Sequence, residues 1–184
     1  RDCLLSRGLG DVYKRQLMYL EFIFISVFIG YAIGSAPIIS YHFGADNHAE
    51  LKNMLKKSLI LMSLAGAAML IISEALAFPL AHIFVGYDEK LLEMTVHGFR
   101  IFSLMFPLAS INIFASSFFT ALNNGGVSAA ISFLRTFVFK LAAVLILPLL
   151  FKLDGIWWAT IVAELFAFLL SIGFVAAKKK KYGY

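Results

Sequence analysis

The fold turns on "GSAPIISYHFGADNHAELKNMLKKS", Gly34 to Ser58. One apolar run ends inside it and another begins after it. Between them stand Gly34, Pro37, Gly44 and Ala45, then His42, Asp46, His48 and Glu50, then Lys52, Lys56 and Lys57. Two readings compete: a metal or catalytic site, or the wet turn between two membrane helices. The spacings of His42, Asp46, His48 and Glu50 do not set all four on one helical face. The chain has a single cysteine, Cys3, to support them. No metal and no cofactor is therefore expected. As a turn the stretch reads coherently. Gly34 allows close helix packing, Pro37 loosens the helix end and Gly44 permits the reversal. Asp46 or Asn47 can cap the next segment, "HAELKNMLKKS", and its lysines hold that segment at the membrane surface.

Composition points the same way. The 184 residues are 61% hydrophobic and 15% charged, with a mean hydropathy of +0.86. A soluble domain of this length carries less apolar and more charged content. Too little polar surface remains to cover a globule, so the solvent is lipid. The net charge is +5. Most of the lysines flank apolar runs, which fits membrane orientation and not nucleic acid.

The first sixteen residues, "RDCLLSRGLGDVYKRQ", differ from the rest. They lack a starting Met and useful periodicity, and resemble a translated adapter or assembly scar. The expected division is 1–16 as a non-native scar, 17–177 as membrane helices and 178–184 as a basic cytoplasmic tail. A genuine amphipathic lead-in is the alternative for the first part.

A spanning helix needs about 20 mainly apolar residues. Five runs qualify: Leu17–Tyr41, Ser58–Val85, Val96–Leu122, Val127–Leu150 and Gly155–Ala177. The last two connections, "NNGG" and "FKLD", are only four residues long. Such short links force antiparallel neighbours. The fold expected is an all-α membrane protein of five transmembrane helices. Lys52, Lys56, Lys57 and Lys178 to Lys181 lie on one side. Lys90, Arg100 and Lys152, diluted by Asp88, Glu89, Glu93 and Asp154, lie on the other. The first side is expected to be cytoplasmic, as is the C-terminus.

In this order the features resemble the MATE family (multidrug and toxic compound extrusion transporters), with the closest likeness to its MepA-like branch. "GYAIGSAPIISYHFGADNHAELKNMLKKS" is similar to the loop after the second helix of a lobe. "ASSFFTALNNGGVSAAISFLRT", Ala115 to Thr136, is similar to the turn between the fourth and fifth. "PLLFKLDGIWWATIVAE", Pro148 to Glu164, is similar to the start of the last. The resemblance covers Leu17 onward and implies most of a C-terminal six-helix lobe. It also implies alternating access in a bacterial inner membrane, with export of drug-like organic cations driven by protons or sodium. The lipid bilayer and an N-terminal lobe of the same protein would be the structural partners. A flippase for lipid-linked saccharides and an inert truncated fragment are the alternatives. An intramembrane enzyme is not expected. No HExxH, Ser–His pair or pair of intramembrane aspartates is present, and the aspartates after residue 16 all lie in loops.

Ionisable groups inside a span are costly and are functional candidates by default. Lys140 and Glu164 come to similar heights, about 20 and about 16 Å from the cytoplasmic side, with Arg135 at about 12 Å. Arg135 and Lys140 are five residues apart, about 140° around an α-helix. Glu164 is expected to pair with one of them, Lys140 being preferred. The pair is either structural or a cavity-facing proton or substrate group. Asn112 lies mid-span, five residues after the kinking Pro107. Some MATE members have a cation-binding acid in this helix. The amide makes an interhelical hydrogen bond the competing reading. Glu21 is one turn from the outer end and can snorkel. Glu74 lies in the outer half of its span. Phe102/Phe106 and Phe114/Phe118 suit either a drug-binding wall or packing. Trp157 and Trp158 are expected as interface anchors.

Overall fold

The computed structural model describes residues 2–86 and 89–184, with side chains for 21–83, 86, 89, 92–151, 155 and 157–184. Residues 1–16, expected to be a scar, and the orientation residues Asp88, Lys90, Lys152 and Asp154 thus have side chains outside the described set. The elements are α1 (Asp2–Gly44), α2 (His48–Val85), α3 (Glu89–Ser103), α4 (Met105–Ala121), α5 (Gly125–Phe133), a π-helical turn (Leu134–Phe139) and α6 (Lys140–Tyr182). Among the described residues five stretches are long and apolar enough to cross a membrane. They are Glu21–Gly44, His48–Ile83, Leu92–Ala121, Gly125–Phe151 and Trp157–Tyr182.

α6 cannot be one straight rod. A helix would carry Arg135 and Glu164 about 43 Å apart, yet their side chains touch at 2.9 Å. The rings of Phe139 and Phe166 meet at 5.9 Å. A Cβ on Gly155 would run into the Leu147 carbonyl. The chain therefore doubles back around residues 149–153, where "FKLD" implies a connection, and the two arms on either side are separate spans. α3 and α4 form one span broken at Leu104, three residues before Pro107. Proline has no N–H to give the Ser103 carbonyl, so the ladder fails there. The Leu104 amide turns back to the Ile101 carbonyl instead, at 3.2 Å.

α4 is the central element. Its Phe106, Phe114, Phe118 and Phe119 are fully buried and form the core with Phe28 and Ile39 of α1 and Leu51 and Met62 of α2. The spaced phenylalanines thus serve packing: Phe114 and Phe118 sit 5.9 Å apart, and Phe102 meets Phe106 edge-on at 6.2 Å. Hydroxyls add cross-links. Ser117 donates to the Ala32 carbonyl at 3.0 Å, and Ser40 to that of Ala121 at 2.9 Å. Between α4 and α5, Ser116, Thr120, Ser128 and Ser132 bond to one another at 2.7 to 3.0 Å.

The opening stretch differs in detail from its sequence reading. α1 does end at Gly44, but it passes Pro37 without stopping. The left-handed residue in the turn is Asp46, with φ 54°, and not Gly44. Asp46 is among the residues that tolerate that region, so glycine is not needed there. Asn47 is the cap, its side chain accepting from the Glu50 amide at 3.1 Å. Gly34 meets nothing within 4 Å and makes no close approach. The close approaches fall elsewhere. A Cβ on Gly66 would lie 2.7 Å from the Pro107 Cα, and one on Gly98 would lie 2.5 Å from the Trp157 ring. Trp157 is accordingly buried against Ala77 and Phe99, and only Trp158 is exposed as an anchor should be.

Candidate functional site

The site grows from Glu164, a carboxylate on the returning arm of α6. Its residue is 7% exposed. A bare buried carboxylate is strongly unfavourable, so it must be paired and hydrogen-bonded. Arg135 Nε donates to Oε1 at 2.9 Å and to Oε2 at 3.0 Å. Asn112 Nδ2 donates to Oε2 at 2.8 Å and to the Glu164 backbone carbonyl at 3.0 Å. Asn112 is fully buried, and its Oδ1 has no hydrogen-bond partner. Three spans thus converge on one carboxylate: the α3–α4 span through Asn112, the α5 span through Arg135 and the last through Glu164.

Lys140 does not take the place preferred for it. Its Nζ lies 3.9 Å from Glu21 Oε1 on α1, with the two side chains 45% and 20% exposed. The Arg135–Glu164 pair is more enclosed, at 18% and 9%. The reason is local helix geometry. Arg135 sits in the π-helical turn Leu134–Phe139. There the hydrogen bonds run i to i+5, so residues five apart come close to one face. Arg135 and Lys140 therefore both look toward the acids, and Arg135, on the inner side, claims Glu164. The charges of Glu164 and Arg135 also act on Glu21, so the four groups form one cluster of two acids and two bases. Glu21 is held by Lys140 and does not simply snorkel.

Glu74 belongs to a separate group. Ser103 Oγ donates to its Oε1 at 2.7 Å, and Arg100 Nε lies 3.6 Å from Oε2. This group ties α2 to the broken ladder at Leu104. Gly34, Pro37, Gly44 and Ala45 lie on α1 and its terminus, away from both clusters in sequence and on the lysine-rich side. The π turn, Gly66 and Gly98 were not singled out by sequence reading. A Gly facing a Pro-kinked helix leaves only a weak signal, and a π turn leaves none in a single sequence.

Between the arms that meet at α6's reversal lies an apolar cavity of about 380 Å³, flanked by Phe139, Leu147, Val162 and Phe166. Phe139 is four residues beyond Arg135, and Phe166 is two beyond Glu164. The cavity thus places apolar walls close in sequence to the Arg135–Glu164 pair.

Comparisons with known proteins fit this geometry. The MatE family model matches residues 16–146. A crystal structure of the Vibrio cholerae MATE transporter VcmN in its bent form superposes with a TM-score of 0.80 at 15% identity, covering 98% of this chain and 43% of that one. The chain therefore spans less than half the length of that transporter. No curated protein matches it. With its family match extending over most of the chain and its five apolar spans in place, the chain belongs to the MatE family.

Proposed function

We propose that the chain forms most of the C-terminal lobe of a cation-coupled exporter of cationic or amphipathic compounds. The carrying observation is the buried Glu164 carboxylate, shared by Arg135 and Asn112 from two other spans. An ionisable group at this depth is functional by default. Its bonds to Arg135 are exchangeable: a proton or a sodium ion on the carboxylate would release the guanidinium. That release would loosen the contact between the π turn and the last span, and this is the local step offered for alternating access. The apolar cavity beside Phe139 and Phe166 suits flat amphipathic cargo. Residues 17–177 make up the lobe in this reading, in which the first sixteen residues are a non-native lead. The lysine-rich side, with the tail 178–184, is assigned to the cytoplasm by the distribution of Lys, and the membrane to a bacterial inner membrane by the family resemblance.

The flippase alternative needs an excess of positive charge to hold a lipid pyrophosphate. The cluster here is balanced, with Glu21 and Glu164 against Arg135 and Lys140. The test is ethidium efflux by the complete transporter in a pump-deficient host. Glu164→Gln should abolish efflux while the protein still reaches the membrane. Unchanged efflux would reduce the cluster to a structural ion pair.

A further inference from the structure

Away from this cluster, at the lysine-rich end, a groove runs between the start of α2 and the end of α6. Its mouth has a volume of about 310 Å³ and is bordered by Lys52, Lys56, Lys179 and Tyr184. The three lysines are exposed, and their ammonium groups have no ion-pair partner among the described residues. Deeper in, Leu59, Ile172 and Val175 line the mouth and also a second cavity of about 310 Å³, which reaches Ile111 and Ala115 of α4. The two cavities lie side by side along the seam of α2 and α6, sharing Leu59, Ile172 and Val175, the first cationic at its rim and the second apolar.

We propose that this seam binds an anionic phospholipid, its phosphate at Lys52, Lys56 and Lys179 and one acyl chain in the apolar cavity. Three points carry the assignment. The lysines come from two different spans, so the mouth is a built concavity and not a run of tail charge. The mouth has an apolar cavity beside it, for which a free anion has no use. And the five spans put this end at a membrane–water boundary, where such a lipid is presented in the matching orientation. Basic pockets between spanning helices recognise anionic headgroups in this way. Burial of the acyl chain adds apolar contact to the same binding. Tyr184 lines one side of the mouth, held by its hydroxyl donating to the Val175 carbonyl at 3.1 Å and by its ring against Phe118 at 5.1 Å. The site does not depend on the transport reading.

The test uses the full chain purified in a neutral detergent. Native mass spectrometry counts retained dioleoyl phosphatidylglycerol against dioleoyl phosphatidylcholine. Phosphatidylglycerol adducts should exceed phosphatidylcholine adducts by about ten-fold at equal lipid concentration. The Lys52→Gln/Lys56→Gln/Lys179→Gln triple variant should cut that preference below about two-fold. Lys57→Gln/Lys178→Gln/Lys180→Gln, which changes neighbouring lysines outside the groove, should leave it intact. Ala176→Trp, which fills the mouth, should reduce retention of both lipids. The proposal is overturned if the two triple variants lose preference equally, if Ala176→Trp leaves retention unchanged, or if inorganic phosphate displaces the lipid.

Discussion

Arg135 Nε sits 2.9 Å from Glu164 Oε1 across the reversal that separates the last two spans, and Lys140, five residues further on, reaches Glu21 instead at 3.9 Å. The more enclosed pair is the one where removal of a partner leaves a buried, uncompensated charge. Arg135→Gln should therefore destabilise the protein by about 3–5 kcal/mol. Arg135→Gln/Glu164→Gln should recover a large part of that loss. Thermal unfolding in detergent measures both. If the double variant is as unstable as the single one, the pair is not the cause. Arg135→Lys should recover part of the loss, since it keeps a positive charge near the carboxylate but not the planar donor that Nε places between its two oxygens.

Lys140→Gln should cost less than Arg135→Gln in the same assay. Its ion pair is longer and its side chain is nearly half exposed. A larger loss for Lys140→Gln would reverse the ranking of the two bases.

The glycines offer a paired test. Gly66→Ala would push a methyl against the Pro107 backbone, with Ser110 Oγ equally near at 2.7 Å. Backbone cannot swing aside as a side-chain end can, so α2 and α4 must separate. The expected loss is about 1–3 kcal/mol. Gly34→Ala meets open space on α1, and the better helix propensity of Ala should make it neutral or stabilising by about 0.5–1 kcal/mol. Equal melting temperatures for the two variants would contradict the close approach.

At the other end, the Tyr184 hydroxyl is pushed up to about 12, by burial first and by the neighbouring Tyr182 second. An unfolded tyrosine ionises near 10. The folded state therefore holds its proton where the unfolded state has lost it. The stability contributed by neutral Tyr184 is complete below about pH 10 and disappears as pH rises toward 12. Ultraviolet difference titration of wild type and Tyr184→Phe should show one late-titrating phenol absent from the variant. The neighbouring Gly183→Ala should loosen the same segment, because φ there is 71° and a Cβ would press on His48 at 2.7 Å. Faster proteolysis of the tail would register it.

The spans were legible because spanning demands length and apolarity, and both are written locally. The break near Pro107 was legible for the same reason: a missing N–H is a property of one residue. The candidate acids and bases were found because charge inside an apolar run stands out. Their pairing was not legible. It depends on the angular phase of one helix against another, and an α-helical wheel assigns Arg135 and Lys140 to different faces. Gly34 illustrates the opposite error. A glycine ahead of a proline looked like a packing residue, yet the contacts that need a missing Cβ occur at Gly66 and Gly98. Those depend on which helix lies opposite, which a single sequence does not state.

The π turn at 134–139 amounts to one surplus residue in an otherwise regular screw. It lets the two halves of that span choose their facings independently: the α5 half presents serines to α4, while the following half presents Lys140 to α1. Deleting a single residue from the turn would restore the regular thread and rotate everything beyond it by about 100°. Lys140 would turn away from Glu21. The span therefore works as two components joined by a phase slip, and the slip, more than any one charge, sets which base meets which acid.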